Sequence, residues 1–256
     1  MARLTNKGFT LIELVTVLVI LSILAVVGSR FVVSATRSYQ LTQHRAHLTN
    51  TGRLALERMT RQLRGALPHS LRITDGGECL QFFPIAAGGK YLADVPSIAN
   101  QVAPTDTIAV MPHDVSFGNA QYVSIGAMSS QELYGGAPAS LVGLSSRAST
   151  SLNLNSNKQW ARNSISRRFY LLDEPQAFCL RQNQLRFYTN LNPADLSVTG
   201  TYDLLANNVT LVPGHSVFAL SAGSENRSIN VSISLAIGSG DEQVSFIQEV
   251  LIRNVP

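Results

Sequence analysis

The chain has 256 residues, 45% of them hydrophobic and 14% charged, with a formal net charge of +4. That composition excludes an intrinsically disordered chain and leaves apolar material for one sizeable core beyond a membrane segment. The charge is uneven. Arg30 to Arg64 holds seven arginines and a single acid, Glu57, whereas Pro68 onward holds 11 basic and 14 acidic residues.

The first element is Lys7-Gly8-Phe9-Thr10-Leu11-Ile12-Glu13 and the run from Leu14 to Val27, in which only Thr16 and Ser22 are polar. A helix starting at Phe9 is long enough to cross the ~30 Å hydrocarbon core of a bilayer. Arg3 and Lys7 precede it, so the positive-inside rule keeps the amino terminus in the cytoplasm and exports the rest. Glu13 is the anomaly, because a carboxylate costs about 2.5 to 3.5 kcal/mol at the centre of a membrane helix and calls for a cationic partner. A plain single-pass anchor, or a secretory signal peptide cut after Val26-Val27-Gly28, would use the same apolar run. Both leave Glu13 unexplained.

These residues resemble the type IV prepilin signature: a short basic leader ending in Gly8, an aromatic Phe9, Thr-Leu-Ile-Glu, then an apolar helix. The resemblance implies that a prepilin peptidase cleaves after Gly8 and methylates the new amino terminus at Phe9, the apolar segment staying on the mature subunit. It also implies that Glu13 pairs with the terminal amine of a neighbouring subunit during fibre assembly, which supplies the cation a carboxylate in hydrocarbon lacks. On this reading residues 1–8 are the leader, 9–35 the transmembrane and assembly helix, 36–67 its amphipathic continuation, and 68–256 a β-rich periplasmic domain.

No proline occurs between Arg30 and Leu67, and Leu41, Leu48, Ala55, Met59 and Leu63 recur at helical spacing, so the membrane helix continues until Pro68. Gly28 and Gly52 are its soft points, each costing about 1 kcal/mol against alanine. The arginines at 37, 45, 53, 58, 61 and 64 lack interleaved aromatics after Tyr39, so they read as a solvated or subunit-facing side, and no nucleic acid is expected as partner. His44 and His47 stand three apart without a carboxylate or cysteine beside them in sequence, and no metal is expected there.

Beyond Pro68 the pattern becomes short apolar stretches broken by Gly, Pro, Asn and Ser, which predicts strands. They are 71–74, 79–85, 107–111, 122–125, 168–172, 177–181, 184–189, 216–221, 228–237 and 244–253. Arg181-Gln182-Asn183-Gln184 and Gly238-Ser239-Gly240-Asp241 read as hairpin turns. Ile229, Val231, Ile233, Leu235 and Ile237 alternate with polar neighbours, giving one buried face for the helix to cover. Met128 to Ala161 reads as loop with a short helix around Gln131 to Tyr134. The predicted fold is therefore α+β, a long amino-terminal helix packed on a mainly antiparallel sheet domain. Cys79 and Cys179, the only cysteines, fall in predicted strands on the oxidising side and are expected to pair; two buried small hydrophobes are the alternative.

The segments 51–64, 79–82, 168–173 and 250–256 look like those of large minor pilins of the MSHA (mannose-sensitive haemagglutinin) pilus system, and are shared more loosely with minor pseudopilins of type II secretion. The resemblance implies a subunit of the inner membrane and then of a pilus fibre or tip. Its partners would be other major and minor pilins, the prepilin peptidase and the assembly platform. Catalytic signatures are missing from the sequence: Gly214-His215-Ser216-Val217-Phe218 lacks the closing glycine of a nucleophile elbow, and His113-Asp114 has no nucleophile in register. Asp75-Gly76-Gly77-Glu78 and Asp241-Glu242 offer too few oxygens in a row for a calcium loop. Neither enzyme activity nor a cofactor is expected. An adhesive surface at 128–161, carrying Tyr134 and Trp160, is the binding-module alternative.

Overall fold

The computed structural model describes residues 10–112, 118–222, 228–239 and 242–253. The chain forms two compact units, Met1–Thr49 and Asn50–Pro256, and one helix, α1 (Leu11–Arg64), contributes to both. The strands are β1 (Arg72–Thr74), β2 (Cys79–Phe82), β3 (Ile85–Lys90), β4 (Thr105–Ala109), β5 (Tyr122–Ser124), β6 (Leu141–Ala148), β7 (Ser151–Lys158) and β8 (Arg168–Leu172). They continue with β9 (Gln176–Arg181), β10 (Gln184–Tyr188), β11 (Tyr202–Asn207), β12 (Val209–Thr210), β13 (Phe218–Ala222), β14 (Ile229–Ser239) and β15 (Glu242–Ile252). This is an α+β, pilin-like layout of one long apolar helix followed by antiparallel sheets.

In the first unit α1 is apolar from Leu14 to Val27 apart from Thr16 and Ser22, whose side chains serve the helix itself. Thr16 Oγ1 donates to the carbonyl of Glu13 at 3.0 Å and Ser22 Oγ to that of Leu18 at 2.7 Å. Such back-bonding leaves no hydroxyl in need of water, which is what a span through hydrocarbon demands.

In the second unit the last turns of α1 cover a sheet of order β1-β2-β9-β10-β11. Ala55, Leu56, Met59 and Leu63 are buried at a spacing of three or four, one face of a helix. Beneath them lie the alternate residues Leu80 and Phe82 of β2, Phe178 of β9, and Leu185 and Phe187 of β10. Phe178 stacks on Phe82 and Phe187 at centroid distances of 5.7 and 4.8 Å. Arg58 lies 5.0 Å over the Phe187 ring and donates to Asp203 at 2.8 Å, so this arginine is drawn onto the sheet. Gly52 has a packing reason: a Cβ there would collide with the ring of Phe246 on β15. The helix stops at Arg64, before Pro68, because the chain turns into bridge pairing; Leu67 N–H donates to the Phe83 carbonyl at 2.9 Å and Ile85 N–H to that of Gly65 at 2.8 Å.

β2 and β9 are neighbours in this sheet, yet residues 83–175 lie between them in the chain. Those residues build a separate sheet of order β3-β8-β5-β6-β7-β4 with its own core of Tyr91, Val110, Ile125, Leu152, Trp160 and Phe169. The strand predicted over 79–85 therefore breaks at Phe83-Pro84 and enters two sheets, since proline cannot donate to a ladder. A third sheet places β14 between β15 on one edge and β12 and β13 on the other.

Two expectations are corrected. The stretch 128–161 is loop only in part, because β6 and β7, of eight residues each, take nearly half of it and hold Leu152 and Leu154 in the core. Residues 131–135 form turns and not a helix. Gly135 has φ +88°, and Gly136 N–H closes back on the Gln131 carbonyl at 2.8 Å. The Arg181–Gln184 hairpin matches its prediction, with Gln182 and Asn183 both at positive φ, as a two-residue turn of this hand requires.

Candidate assembly site

Gly8 and Phe9 lie outside the described residues, as do His113-Asp114, the turn residues Gly240 and Asp241, and the last three residues of the chain. The site is described from Thr10 onward. Thr10 is the residue before the first helical position, and Glu13 sits in the first turn of α1. Their side chains answer each other: Glu13 N–H donates to Thr10 Oγ1 at 3.3 Å, while Glu13 Oε2 accepts from Thr10 Oγ1 at 3.4 Å and from Thr10 N–H at 3.5 Å. The pattern is a capping box, in which the carboxylate satisfies a backbone donor that the helix start leaves open. A negative charge is also favoured there by the helix dipole. The need of Glu13 for a cation is legible from the apolar run alone; its local partner is signalled by Thr-x-x-Glu before that run.

The surface around this cap is hydrocarbon. Leu11, Ile12, Leu14, Leu18, Ile23 and Leu24 are each more than half exposed. α1 is the one helix among the described residues long and apolar enough to cross a membrane by length and composition. A carboxylate at the head of such a surface meets a partner's cation with little competing solvent once the surface is covered, so the pair gains from a low local dielectric.

The cysteines sit far along the chain, directly opposite each other on β2 and β9. They form a disulfide with a Cα separation of 4.1 Å. Strand alternation turns them to the face opposite the phenylalanine stack, among Ala177, Tyr188, Leu191 and Val198. Asp75, weighed as a calcium-touching residue, instead accepts from Arg181 at 2.9 Å and from the backbone N–H of Val198 at 3.0 Å. Among the described residues no group of three or more His, Cys, Asp and Glu side chains could hold a metal ion.

The two aromatics that suggested an adhesive surface are buried. Trp160 is fully enclosed in the core of the six-stranded sheet. Tyr134 packs 5.0 Å from Phe83 beneath the Arg72 guanidinium, 3.7 Å from its ring. Burial pushes the Tyr134 hydroxyl far above its ordinary range, although Arg72 opposes this. Beside it Glu132, also buried, accepts both branches of Arg162 at 2.8 and 3.0 Å and the Ser140 hydroxyl at 2.7 Å. Burial pushes its carboxyl up, but the bonds from Arg162 and Ser140 outweigh that and hold it below the usual range. This network fixes the 126–140 segment, and nothing in its geometry points outward to a ligand.

The model of the prokaryotic N-terminal methylation motif matches residues 3–29. The chain thus carries the pilin-type processing motif, joined to a membrane-anchoring helix, and in motif and layout it is type IV pilin-like. Such a motif implies a structural subunit that associates with other pilins and with the prepilin peptidase. No curated protein and no solved structure matches the chain.

Proposed function

We propose that the protein is a minor pilin, cleaved after Gly8 and methylated at Phe9, that takes part in the assembly, initiation or tip of a type IV pilus. The observation that carries this reading is the methylation motif over 3–29 running without a break into an apolar helix. The β-rich domain faces the periplasm in this reading, because Arg3 and Lys7 hold the other end inside. Bulk supports a position at the tip or in the initiating complex: a subunit with a whole additional six-stranded sheet is a poor repeating unit. Within this proposal the pilus is of the MSHA type and the chain an MshO-like large minor pilin, a reading supported by the segments 51–64, 79–82, 168–173 and 250–256. Its partners are then the other pilins, the assembly platform of the inner membrane, and the peptidase.

Glu13 acts twice in this proposal. Before assembly it caps its own helix through Thr10; on assembly its charge meets the terminal amine of a neighbouring subunit. Mass spectrometry of the mature subunit should find methylated Phe9 at the amino terminus, and replacing Gly8 by a larger residue should leave the leader attached. Glu13→Ala and Glu13→Gln should both be cleaved and inserted normally yet co-purify poorly with partner pilins at equal membrane levels. A terminus near Ser29 would mean ordinary secretory cleavage, and undiminished co-purification would limit Glu13 to capping. Co-purification with secretion subunits in place of pilus subunits would move the chain to a type II pseudopilus.

A further inference from the structure

Between Glu13 and Glu57 the chain holds no acid, and its first cations beyond the apolar run are Arg30 and Arg37. With Ser34 they fall at i, i+4 and i+7 of α1, one stripe of a helix. All three residues are exposed, and none of their side chains has a hydrogen-bond or ion-pair partner among the described residues. Ser34 differs in this from its neighbours, because Ser29 returns its hydroxyl to the Val26 carbonyl at 2.9 Å and Thr36 to that of Val32 at 2.8 Å. An unpartnered hydroxyl between two unpartnered guanidinium groups is a donor set for an oxyanion.

The height of the stripe on the helix says which oxyanion. From Leu11 to Ser29 α1 rises about 28 Å at ~1.5 Å per residue, close to the ~30 Å hydrocarbon core of a bilayer. Arg30 therefore stands where the phosphates of the leaflet farther from the amino terminus begin. Helical side chains lean toward the amino terminus, so Arg37, about 10 Å farther along, reaches back to the same layer. Apolar length alone does not fix this depth. Phe31, Val32 and Val33 are 73, 60 and 67% exposed, and the stretch from Leu14 to Val33 is long enough to span as well, with Glu13 outside the hydrocarbon and Arg30 inside it. The two depths differ by about one helical turn.

We infer that Arg30, Ser34 and Arg37 bind the headgroup phosphate of a membrane phospholipid and hold α1 at the depth at which the hydrocarbon ends at Ser29. Arginine suits this task, since its planar fork meets two phosphate oxygens at once and keeps its charge. At the deeper setting Arg30 would lie a turn below the phosphates with its side chain leaning away from them. The return for that burial would be the release of Glu13, whose carboxylate already has Thr10 as a local partner. The site rests on α1 spanning the membrane, and on nothing else in the function proposed above. It needs no pilus and no given orientation, because both leaflets carry phosphates.

The full chain in vesicles of phosphatidylcholine and phosphatidylglycerol tests the site. Val33→Cys adds the one free thiol, since Cys79 and Cys179 are bonded to each other, and it should react readily with a membrane-impermeant maleimide. Adding Arg30→Gln and Arg37→Gln should let α1 sink by a turn and slow that reaction about tenfold, because a thiol in apolar surroundings forms little thiolate. Both chains should resist extraction by alkaline carbonate. In solid-state NMR the guanidinium carbons of the arginine-labelled chain should be dephased by lipid phosphorus, and the double glutamine variant should lose part of that dephasing. Arg30→Lys with Arg37→Lys keeps the charge without the fork, so it should preserve the labelling of Val33→Cys and weaken the dephasing. Labelling or dephasing unchanged in the glutamine variant, in a chain that stays inserted, overturns the site and leaves the span standing. Slowed labelling without any dephasing in the unaltered chain also overturns it, and makes the arginines cations that only avoid hydrocarbon. Extraction of the unaltered chain by carbonate overturns the span and the site together.

Discussion

The sheet beneath α1 and the sheet inserted between β2 and β9 are held by different means. The first is made from outside itself: Met59 and Leu63 of the helix complete a core whose floor is Phe82, Phe178 and Phe187, and a disulfide crosses its far face. The second closes on its own side chains, with Trp160 at its centre and the Glu132–Arg162 pair pinning its longest turn. A small cluster of Leu67, Phe83, Leu133, Tyr134 and Leu172 joins them. One chain thus carries a layer that depends on the helix and a layer that does not. Trp160 is the single tryptophan, so its fluorescence reports on the second layer alone.

The widest separation should come from Leu63→Ala, which removes a fully buried side chain from the helix-dependent layer at a cost of about 2 to 5 kcal/mol. In urea, circular dichroism should show an earlier transition while the Trp160 transition shifts less. Equal shifts would mean that the junction cluster makes the two layers one cooperative unit. Next in size, replacing Cys79 and Cys179 together by alanine should cost about 2 to 4 kcal/mol, again felt first in the helix-covered layer.

Gly52→Ala sharpens the contrast along α1 itself. The added methyl group meets the Phe246 ring, and overpacking of this kind costs about 1 to 3 kcal/mol, whereas Gly28→Ala meets nothing and should leave the unfolding of the domain unchanged. The smallest effect concerns pH and belongs to the inserted layer. The Glu132 carboxyl is held below its usual value near 4.5, so it contributes stability above that pH and loses it as the pH falls through its lowered value. Glu132→Gln should flatten the acid limb of the Trp160 midpoint measured from pH 6 to pH 3. An unchanged limb would mean that other carboxylates carry the acid sensitivity.

Much of the helix-dependent layer was legible in the sequence. The spacing of Ala55, Met59 and Leu63 names the buried face of α1, and in the third sheet the alternation from Ile229 to Ile237 names a strand whose Val231, Ile233, Leu235 and Ile237 are buried. The inserted layer was less legible. Leu152 and Leu154 alternate with asparagines, but serine and asparagine around them carry the composition of loops and mask the strands β6 and β7. Sheet order was beyond reach, because a period of two says which face is buried and not which strand lies alongside. Nothing local tells that β2 and β9 are neighbours; the two cysteines were the one hint of it. At the amino terminus the motif is plain, and the cap between Thr10 and Glu13 is written in the sequence as Thr-x-x-Glu.

The inserted layer leaves the helix-covered sheet from β2 and returns to it through β9, and Phe82 and Gln176 stand opposite each other at that doorway. Entry and exit are thus a single strand spacing apart, and a disulfide latches the same two strands a few residues away. The insertion behaves as a cassette. Its length and sequence can change without altering the register of the strands that carry it, so a lineage can exchange this layer while keeping the sheet that α1 covers. A protein whose own termini lie close together could be spliced in at the same place.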